Sequence, residues 1–168
     1  MSKAFTKEDA QEQPLFVPAR APLPAGVPNY VTAHGLTLLQ DERAEWRAEK
    51  ARLEAASSDN DARRQELAAI SKRLADLDAR LASATVVDLG NQPKDEVRFG
   101  ARVTVLTDNG EERRYQIVGV DEADASQGKV SFLSPIARAM MGHGVGDTAK
   151  LSIARGEETL EIIAIDYE

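Results

Sequence analysis

Two stripes of apolar residues at helical spacing, separated by a short polar break, constrain this chain more than any other feature. Between residues 35 and 84, apolar or long side chains recur in steps of three and four, except where Ser, Asn and Asp interrupt the pattern at residues 55–61. So short a break leaves the chain no path except an immediate reversal. The spacing therefore predicts an antiparallel helical hairpin with its tip at about residues 57–61 and arms of about 24 residues, each rising roughly 35 Å.

A hairpin of this kind has two functional interpretations. It can serve as a stalk or a dimerisation element, or as a probe that carries its tip to a distant site. The outer faces carry Arg, Lys, Glu and Asp in mixed order, which is typical of a solvated surface under either interpretation. The residues that follow the hairpin have to decide between the two.

Composition excludes several classes of protein. The chain has a net charge of −7, and residues 85–168 carry most of the excess acid, which argues against direct DNA binding as the main interaction. The absence of cysteine removes disulfides and thiol nucleophiles and favours a reducing compartment. No apolar run is long enough to span a membrane, and no signal peptide is evident at the start. We therefore expect a cytoplasmic protein without membrane contact.

Three segments are predicted along the chain. Five prolines between residues 14 and 28 predict a disordered tail over residues 1–28. The hairpin is expected to occupy residues 29–85, with Thr32 as the N-cap of its first helix. A second folded unit is expected over residues 86–168.

This second unit has the pattern of a small sheet. Apolar and polar residues alternate from Val97 to Val105, and Asp108-Asn109-Gly110 is a strong hairpin-turn signal. Ser134-Pro135 places a capping hydroxyl before a proline and predicts a short helix over residues 136–141. Further strands are expected at residues 129–133, 148–153 and 158–166, and the acidic loop 121–124 is expected to be a solvated surface. The predicted fold class is α+β, a helical hairpin followed by a mostly antiparallel sheet with one short helix.

Several of these motifs, in this order, resemble the GreA/GreB family of bacterial transcript-cleavage factors. The resemblance covers about residues 30–168 and identifies the chain as a GreB-like variant with a shortened coiled coil. The residues that carry it are Thr32, Gly35-Leu36 and Leu38-Leu39 at the start of the hairpin, Phe99-Gly100-Ala101-Arg102-Val103 and Tyr115-Gln116-Ile117-Val118-Gly119 in the sheet, and Ser134-Pro135-Ile136-Ala137-Arg138-Ala139-Met140-Met141-Gly142 with Val145-Gly146-Asp147.

The resemblance implies both a fold and a function. The fold is an N-terminal coiled-coil hairpin with a C-terminal domain similar to the FKBP prolyl isomerases. In the family, that domain docks on RNA polymerase beside the secondary channel and the hairpin enters the channel. Carboxylates at the tip then help to hold the second Mg²⁺ of the polymerase active site, so that the polymerase cleaves backtracked RNA. Such a protein has no cofactor of its own, is not itself an enzyme, acts as a monomer and contacts RNA or DNA only within the elongation complex.

Carried over residue by residue, the resemblance assigns two sites. At the tip, Asp59 matches the second acidic residue of the family loop and is the candidate ligand of the shared Mg²⁺. Asp61 is a second candidate carboxylate, while Ala56 stands where the family has its first acid. Both aspartates also have an ordinary role as turn formers and caps of the second arm. The docking site maps onto five consecutive residues, namely Leu133, Ser134, Pro135, Ile136 and Ala137, with Leu133 replacing a polar residue of the family.

Four alternatives remain open. The hairpin is nearly two heptads shorter than is usual in the family, which would withdraw the tip by roughly 10 Å. The chain is therefore either a cleavage factor or a non-cleaving competitor that blocks the channel. A third class is a coiled-coil adaptor that associates with itself and ignores polymerase. An isomerase acting alone would be recognised by activity on a proline peptide.

Overall fold

A computed structural model describes residues 19–57 and 59–168 of the chain. The tail prediction for residues 1–18 and any statement about Ser58 lie outside these described residues. The helices are α1 (Ala33–Ala55), α2 (Asp61–Ser83) and α3 (Pro135–Met140). The strands are β1 (Asn29–Val31), β2 (Ala84–Val86), β3 (Arg102–Thr107), β4 (Glu112–Val118), β5 (Lys129–Ser131), β6 (Thr148–Ile153) and β7 (Gly156–Asp166). We call residues 29–86 the hairpin and residues 87–168 the body.

The hairpin has the predicted form. Its arms, α1 and α2, contain 23 residues each and reverse between Ala55 and Asp61. Two buried clusters hold the arms together, and Trp46 contacts both of them. The cluster at the base contains Val31, Leu39 and Leu77, and the cluster towards the tip contains Leu53, Ile70 and Leu74. Because burial of each such side chain stabilises the fold by about 1.5–3 kcal/mol, this seam holds the two arms together.

A short parallel sheet at the base of the hairpin was not anticipated from the sequence. In it β1 pairs with β2, with Asn29 opposite Ala84 and Val31 opposite Val86. Between them, Tyr30 packs its ring against the body, 5.8 Å from the Phe99 centroid and 5.7 Å from that of Phe132. The base of the hairpin is thus anchored in the core of the body.

The body is built on a five-stranded sheet in the order β5-β4-β3-β7-β6. The pairing of β4 with β5 is parallel, and the other pairings are antiparallel. The predicted turn joins β3 to β4, where Gly110 adopts a φ of 78° that a glycine tolerates readily. The helix α3 contributes Ala137 and Met140 to the core. This architecture confirms the predicted α+β fold class.

Two expectations are corrected by the structure. Residues 19–28, which we call the strap, do not form a free tail, because Arg20 bonds to Glu42 and Asp121 and Val27 packs against the core of the body. The acidic loop after β4 is not a solvated surface, because Glu122 is buried and Asp121 is nearly so. The reason in both cases is contact with segments that are far apart in the sequence, such as Arg20 with Asp121 and Thr32 with Glu122.

Candidate functional site

The tip of the hairpin presents the two predicted carboxylates to solvent. Asn60 caps α2, since its side-chain oxygen accepts a hydrogen bond from the Arg63 amide at 2.8 Å. Asp61 begins α2 and lies 2.6 Å from Arg64, with Oδ1 of the first facing Nη2 of the second. Asp59 lies further away, 4.0 Å between its Oδ1 and Arg64 Nε, and its side chain is 75% exposed. Asp61 is still more exposed, at 87%, so only the weaker pairing of Asp59 with Arg64 distinguishes it as the freer carboxylate. Asp61 also has the geometry of a helix-start residue.

Arg63 is a tip residue that the sequence analysis missed. Its guanidinium reaches back across the turn to the end of α1, where Nε donates to Leu53 O at 2.6 Å and Nη2 donates to Glu54 O at 2.9 Å. The last carbonyls of a helix lack partners within the helix, so this side chain caps α1 from the opposite arm. An arginine three residues after an N-cap gives no signal of such a role, because the contact depends on the reversal of the chain.

The Ser-Pro motif forms the start of α3 as predicted. Ser134 Oγ accepts a hydrogen bond from the Ala137 amide at 3.3 Å, and Pro135 is the first helical residue and is exposed. Leu133 and Ile136 are half-buried and pack partly against the core. Ala137 is 0% exposed, so its assignment to a partner contact is corrected: it fills the core beneath the helix. The exposed face of this motif consists of parts of Leu133, Ser134, Pro135 and Ile136.

A set of polar residues connects the base of the hairpin to the body. We call Thr32, Arg80, Asp121 and Glu122 the joint. Glu122 is 6% exposed, and its Oε2 accepts a hydrogen bond from Thr32 Oγ1 at 2.5 Å. Its other oxygen lies 3.4 Å from Lys129 Nζ. A carboxylate beside the first turn of α1 is favoured by the partial positive charge of a helix N-terminus.

The second acidic residue of the joint is surrounded by arginines. Asp121 bonds to Arg20 of the strap through Oδ1, and its Oδ2 lies 3.4 Å from Arg80 Nε. The side chains of Arg20, Asp121 and Arg80 are only 11%, 10% and 7% exposed. Burying a charge is costly unless an opposite charge accompanies it, so these three residues stabilise one another only as a group.

Other chemistry is sparse in the described parts of the chain. Within residues 19–57 and 59–168, no cluster of His, Asp or Glu side chains is arranged to bind a metal ion. His143 lies on the surface, 3.8 Å from Asp147 between Nδ1 and Oδ2. None of the described helices combines the length and apolar character needed to cross a membrane. An open cleft of about 770 Å³ lies beside the joint, and its lining includes Val86, Leu89 and Lys129.

Comparisons with known proteins identify the family of this chain. Residues 92–167 match the family described as transcription elongation factor, GreA/GreB, C-terminal. The transcription elongation factor GreA of Pelobacter propionicus is 42% identical over 113 residues, which cover 67% of this chain and 72% of that protein. GreA of Hyphomonas neptunium is 44% identical over 100 residues, covering 59% of this chain and 64% of that protein, slightly less than two thirds of its length.

Two solved structures are also similar, although only weakly. The GreA factor homolog 1 (Gfh1) of Thermus thermophilus is 25% identical, with 82% of this chain and 97% of that chain covered and a TM-score of 0.39. GreA/GreB from Nitrosomonas europaea is 23% identical, with 84% and 99% covered and a TM-score of 0.41. Neither structure contributes to the assignment, which is carried by the sequence relatives. With 42% identity over 72% of a GreA protein, the chain belongs to the GreA/GreB family of transcription elongation factors.

Proposed function

We propose that this chain regulates transcription elongation by binding bacterial RNA polymerase beside its secondary channel and inserting the hairpin into that channel. The observation that carries the proposal is the hairpin itself, two paired arms of 23 residues that end in exposed carboxylates. At 1.5 Å per residue the tip stands about 35 Å from the base, which suits a probe better than a compact bundle. Membership of the GreA/GreB family supports polymerase as the partner.

The body is the proposed docking unit. Its contact with the rim of the channel would be made by the exposed face of Leu133, Ser134, Pro135 and Ile136. Ala137 is left out because it lies wholly within the core. An exposed proline preceded by a capping serine gives this face a rigid shape, and rigid surfaces bind with a smaller loss of conformational entropy.

At the tip, Asp59 is the residue proposed to assist the chemistry of the polymerase. Carboxylate oxygens are the ligands that Mg²⁺ prefers, and Asp59 has the exposure needed to reach an ion held by another protein. The chain supplies no nucleophile or cofactor in this scheme, so the reaction belongs to the polymerase active site. Asp61 is assigned the smaller role, since it is the closer of the two carboxylates to Arg64 and begins α2.

The length of the arms defines the variant that we propose, a GreB-like factor with a shortened coiled coil. A shorter hairpin places the tip further from the active site. Together with Ala56 at the position of the first family acid, this favours a second candidate function, in which the hairpin blocks the channel without stimulating cleavage. The same scheme has the protein act as a monomer in the cytoplasm, where bacterial transcription takes place.

A stalled elongation complex with labelled RNA distinguishes these functions. We expect the protein to release short 3′ RNA fragments and Asp59→Ala to reduce their yield at least about tenfold, as loss of a metal-assisting group should. Asp61→Ala is the matched control and is expected to retain most of the activity. Inhibition without fragments would support the channel competitor. No association with polymerase, together with a stable self-associated species in sedimentation, would support the coiled-coil adaptor instead.

Docking has its own test. Pro135→Glu adds a charge to the exposed face of α3 and is expected to weaken binding to polymerase by more than about tenfold, because a desolvated unpaired charge opposes association. Thr148→Glu adds the same charge at an exposed position on β6 and should leave binding within about twofold. Equal effects of the two variants would contradict the assigned docking face.

A further inference from the structure

Arg20 in the strap contacts the hairpin and the body at the same time. Its Nη2 bonds to Glu42 Oε2 on α1, and its Nη1 bonds to Asp121 Oδ1 on the body. The side chain is only 11% exposed although the residue lies outside every helix and strand. One side chain therefore connects two units that otherwise meet at the base of the hairpin.

The residues around Arg20 extend this connection in both directions. On the hairpin side, Glu42 also accepts a hydrogen bond from Arg73 Nε of α2 at 3.0 Å, so that both arms are included. On the body side, Asp121 also forms an ion pair with Arg80 of α2. Arg80 in turn donates a hydrogen bond to the Ala21 carbonyl of the strap. The result is a continuous series of alternating charges, in the order Arg73, Glu42, Arg20, Asp121 and Arg80.

The position of Glu42 makes this connection effective against bending. Glu42 lies ten residues beyond the N-cap Thr32, and ten helical residues span about 15 Å along the arm. The base contacts alone, β1 with β2 and Tyr30 with its aromatic neighbours, lie close to the point about which the hairpin would rotate. A rotation of about 10° there would move a tip 35 Å away by about 6 Å, a distance larger than a metal–ligand bond.

We propose that Arg20 is a positioning residue, which bridges α1 to the body and thereby determines where the hairpin tip lies relative to the docking face of α3. Its consequence for transcription rests on the proposed function, whereas the restriction of hairpin motion does not. The strap thus has a structural role through Arg20, whose two partners are Glu42 and Asp121.

The absence of native cysteine allows the motion to be measured directly. Spin labels at Ala56→Cys, next to the tip, and Ser152→Cys, on β6, report the distance between tip and body by pulsed electron resonance. We expect a single narrow distance distribution in the otherwise native chain and at least a twofold broader one in Arg20→Ala. Arg20→Lys keeps the charge and should restore part of the narrow distribution.

Two further variants complete the test. Arg52→Ala removes an exposed arginine that pairs with Glu49 on its own helix, and it should leave the distribution unchanged. Glu42→Gln weakens only the hairpin side of the bridge and should broaden the distribution, which keeps the proposal testable if Arg20→Ala fails to fold. If the distance distribution between the two labels is as narrow in both Arg20→Ala and Glu42→Gln as in the otherwise native chain, the proposal is overturned.

The functional consequence is measured separately. With polymerase, Arg20→Ala is expected to bind within about threefold of the parent chain, because the docking face is intact, while its effect on a stalled complex at saturation falls at least about fivefold. If the parent chain does not bind polymerase, the proposed function fails and the distance measurement still decides the role of Arg20. If Arg20→Ala broadens the distribution and retains the full effect, the bridge exists but does not position the tip for function, and that part of the proposal fails.

Discussion

Glu122 of the body accepts a hydrogen bond from Thr32, the residue that caps the first helix of the hairpin, with 2.5 Å between Oε2 and Oγ1. The same Thr32 oxygen accepts a hydrogen bond from the Gly35 amide at 2.9 Å. The cap of α1 is therefore shared between the hairpin and the body. Since a charged acceptor strengthens a hydrogen bond, this contact stabilises the base of the hairpin more than an isolated threonine cap would.

Gly35 is expected to resist substitution because of this contact. A Cβ atom at Gly35 would lie 2.7 Å from Glu122 Oε2 and 3.5 Å from Glu122 Cβ, so the buried carboxylate would have to move. We expect Gly35→Ala to lower the free energy of unfolding by about 1–3 kcal/mol in urea denaturation, against the gain that alanine normally brings to a helix. In a Glu122→Ala background the same substitution should be neutral or stabilising by up to about 1 kcal/mol. Equal losses in both backgrounds would show that the carboxylate is not the obstacle.

Asp121 is expected to be among the most sensitive charged residues of the described chain. Asp121→Asn keeps the shape of the side chain but leaves Arg20 and Arg80 with less negative charge in a buried site. We expect a loss of about 3–5 kcal/mol in the free energy of unfolding, the usual cost of breaking a buried ion pair. Asp78→Asn, at a half-exposed pair with Arg43, is the control and should cost less than about 1 kcal/mol. A similar cost at both positions would contradict the importance assigned to the joint.

Arg63 is expected to keep the tip of the hairpin closed. Arg63→Ala removes donors to the carbonyls of Leu53 and Glu54, and we expect local opening of the tip to become easier by about 1–2 kcal/mol. Native-state hydrogen exchange at the last turn of α1 measures this change. The neighbouring Arg64→Ala removes only exposed ion pairs and should change protection by less than about 0.5 kcal/mol. Greater loss of protection in Arg64→Ala would refute the capping role.

Glu42 is expected to make stability depend on acidic pH. Burial opposes its ionisation, but hydrogen bonds from Arg20 and Arg73 outweigh burial and hold the pKa of the Glu42 carboxyl below its ordinary value of 4.5. The folded chain therefore binds this proton less readily than the unfolded chain. The stabilisation is complete above the ordinary pKa and is lost as the pH falls below it, through the folded pKa.

The measurement is the midpoint of urea unfolding between pH 7 and pH 3. Glu42→Gln should be less stable than the parent chain at pH 7, and the difference should shrink as the pH falls below about 4.5. Glu54→Gln, at an exposed position on the same helix, is the control and should follow the parent curve. A difference between Glu42→Gln and the parent that stays constant down to pH 3 would contradict this assignment.

The hairpin and the short helix could be predicted because their signals are local. Apolar residues three and four apart lie on one face of a helix, so the seam residues Leu39, Ile70, Leu74 and Leu77 follow from spacing alone. The caps at Thr32 and Ser134 depend on amides within three residues of each hydroxyl. The position of the exposed Asp59 at the tip could also be predicted, because the polar break between the two helices is a local signal.

The joint and the strap could not be predicted, because their partners are brought together only by folding. Asp121 and Glu122 look like a solvated acidic turn in the sequence, yet Arg20 lies 101 residues from the first and Thr32 lies 90 residues from the second. A carboxylate can be buried only where a cation or a donor meets it, and the sequence does not state which one will. The sequence by itself determined the arms, the caps and the tip of the hairpin. Only the tertiary structure decided how the hairpin is connected to the body, because Arg20, Asp121 and Arg80 stabilise one another only when they are buried together.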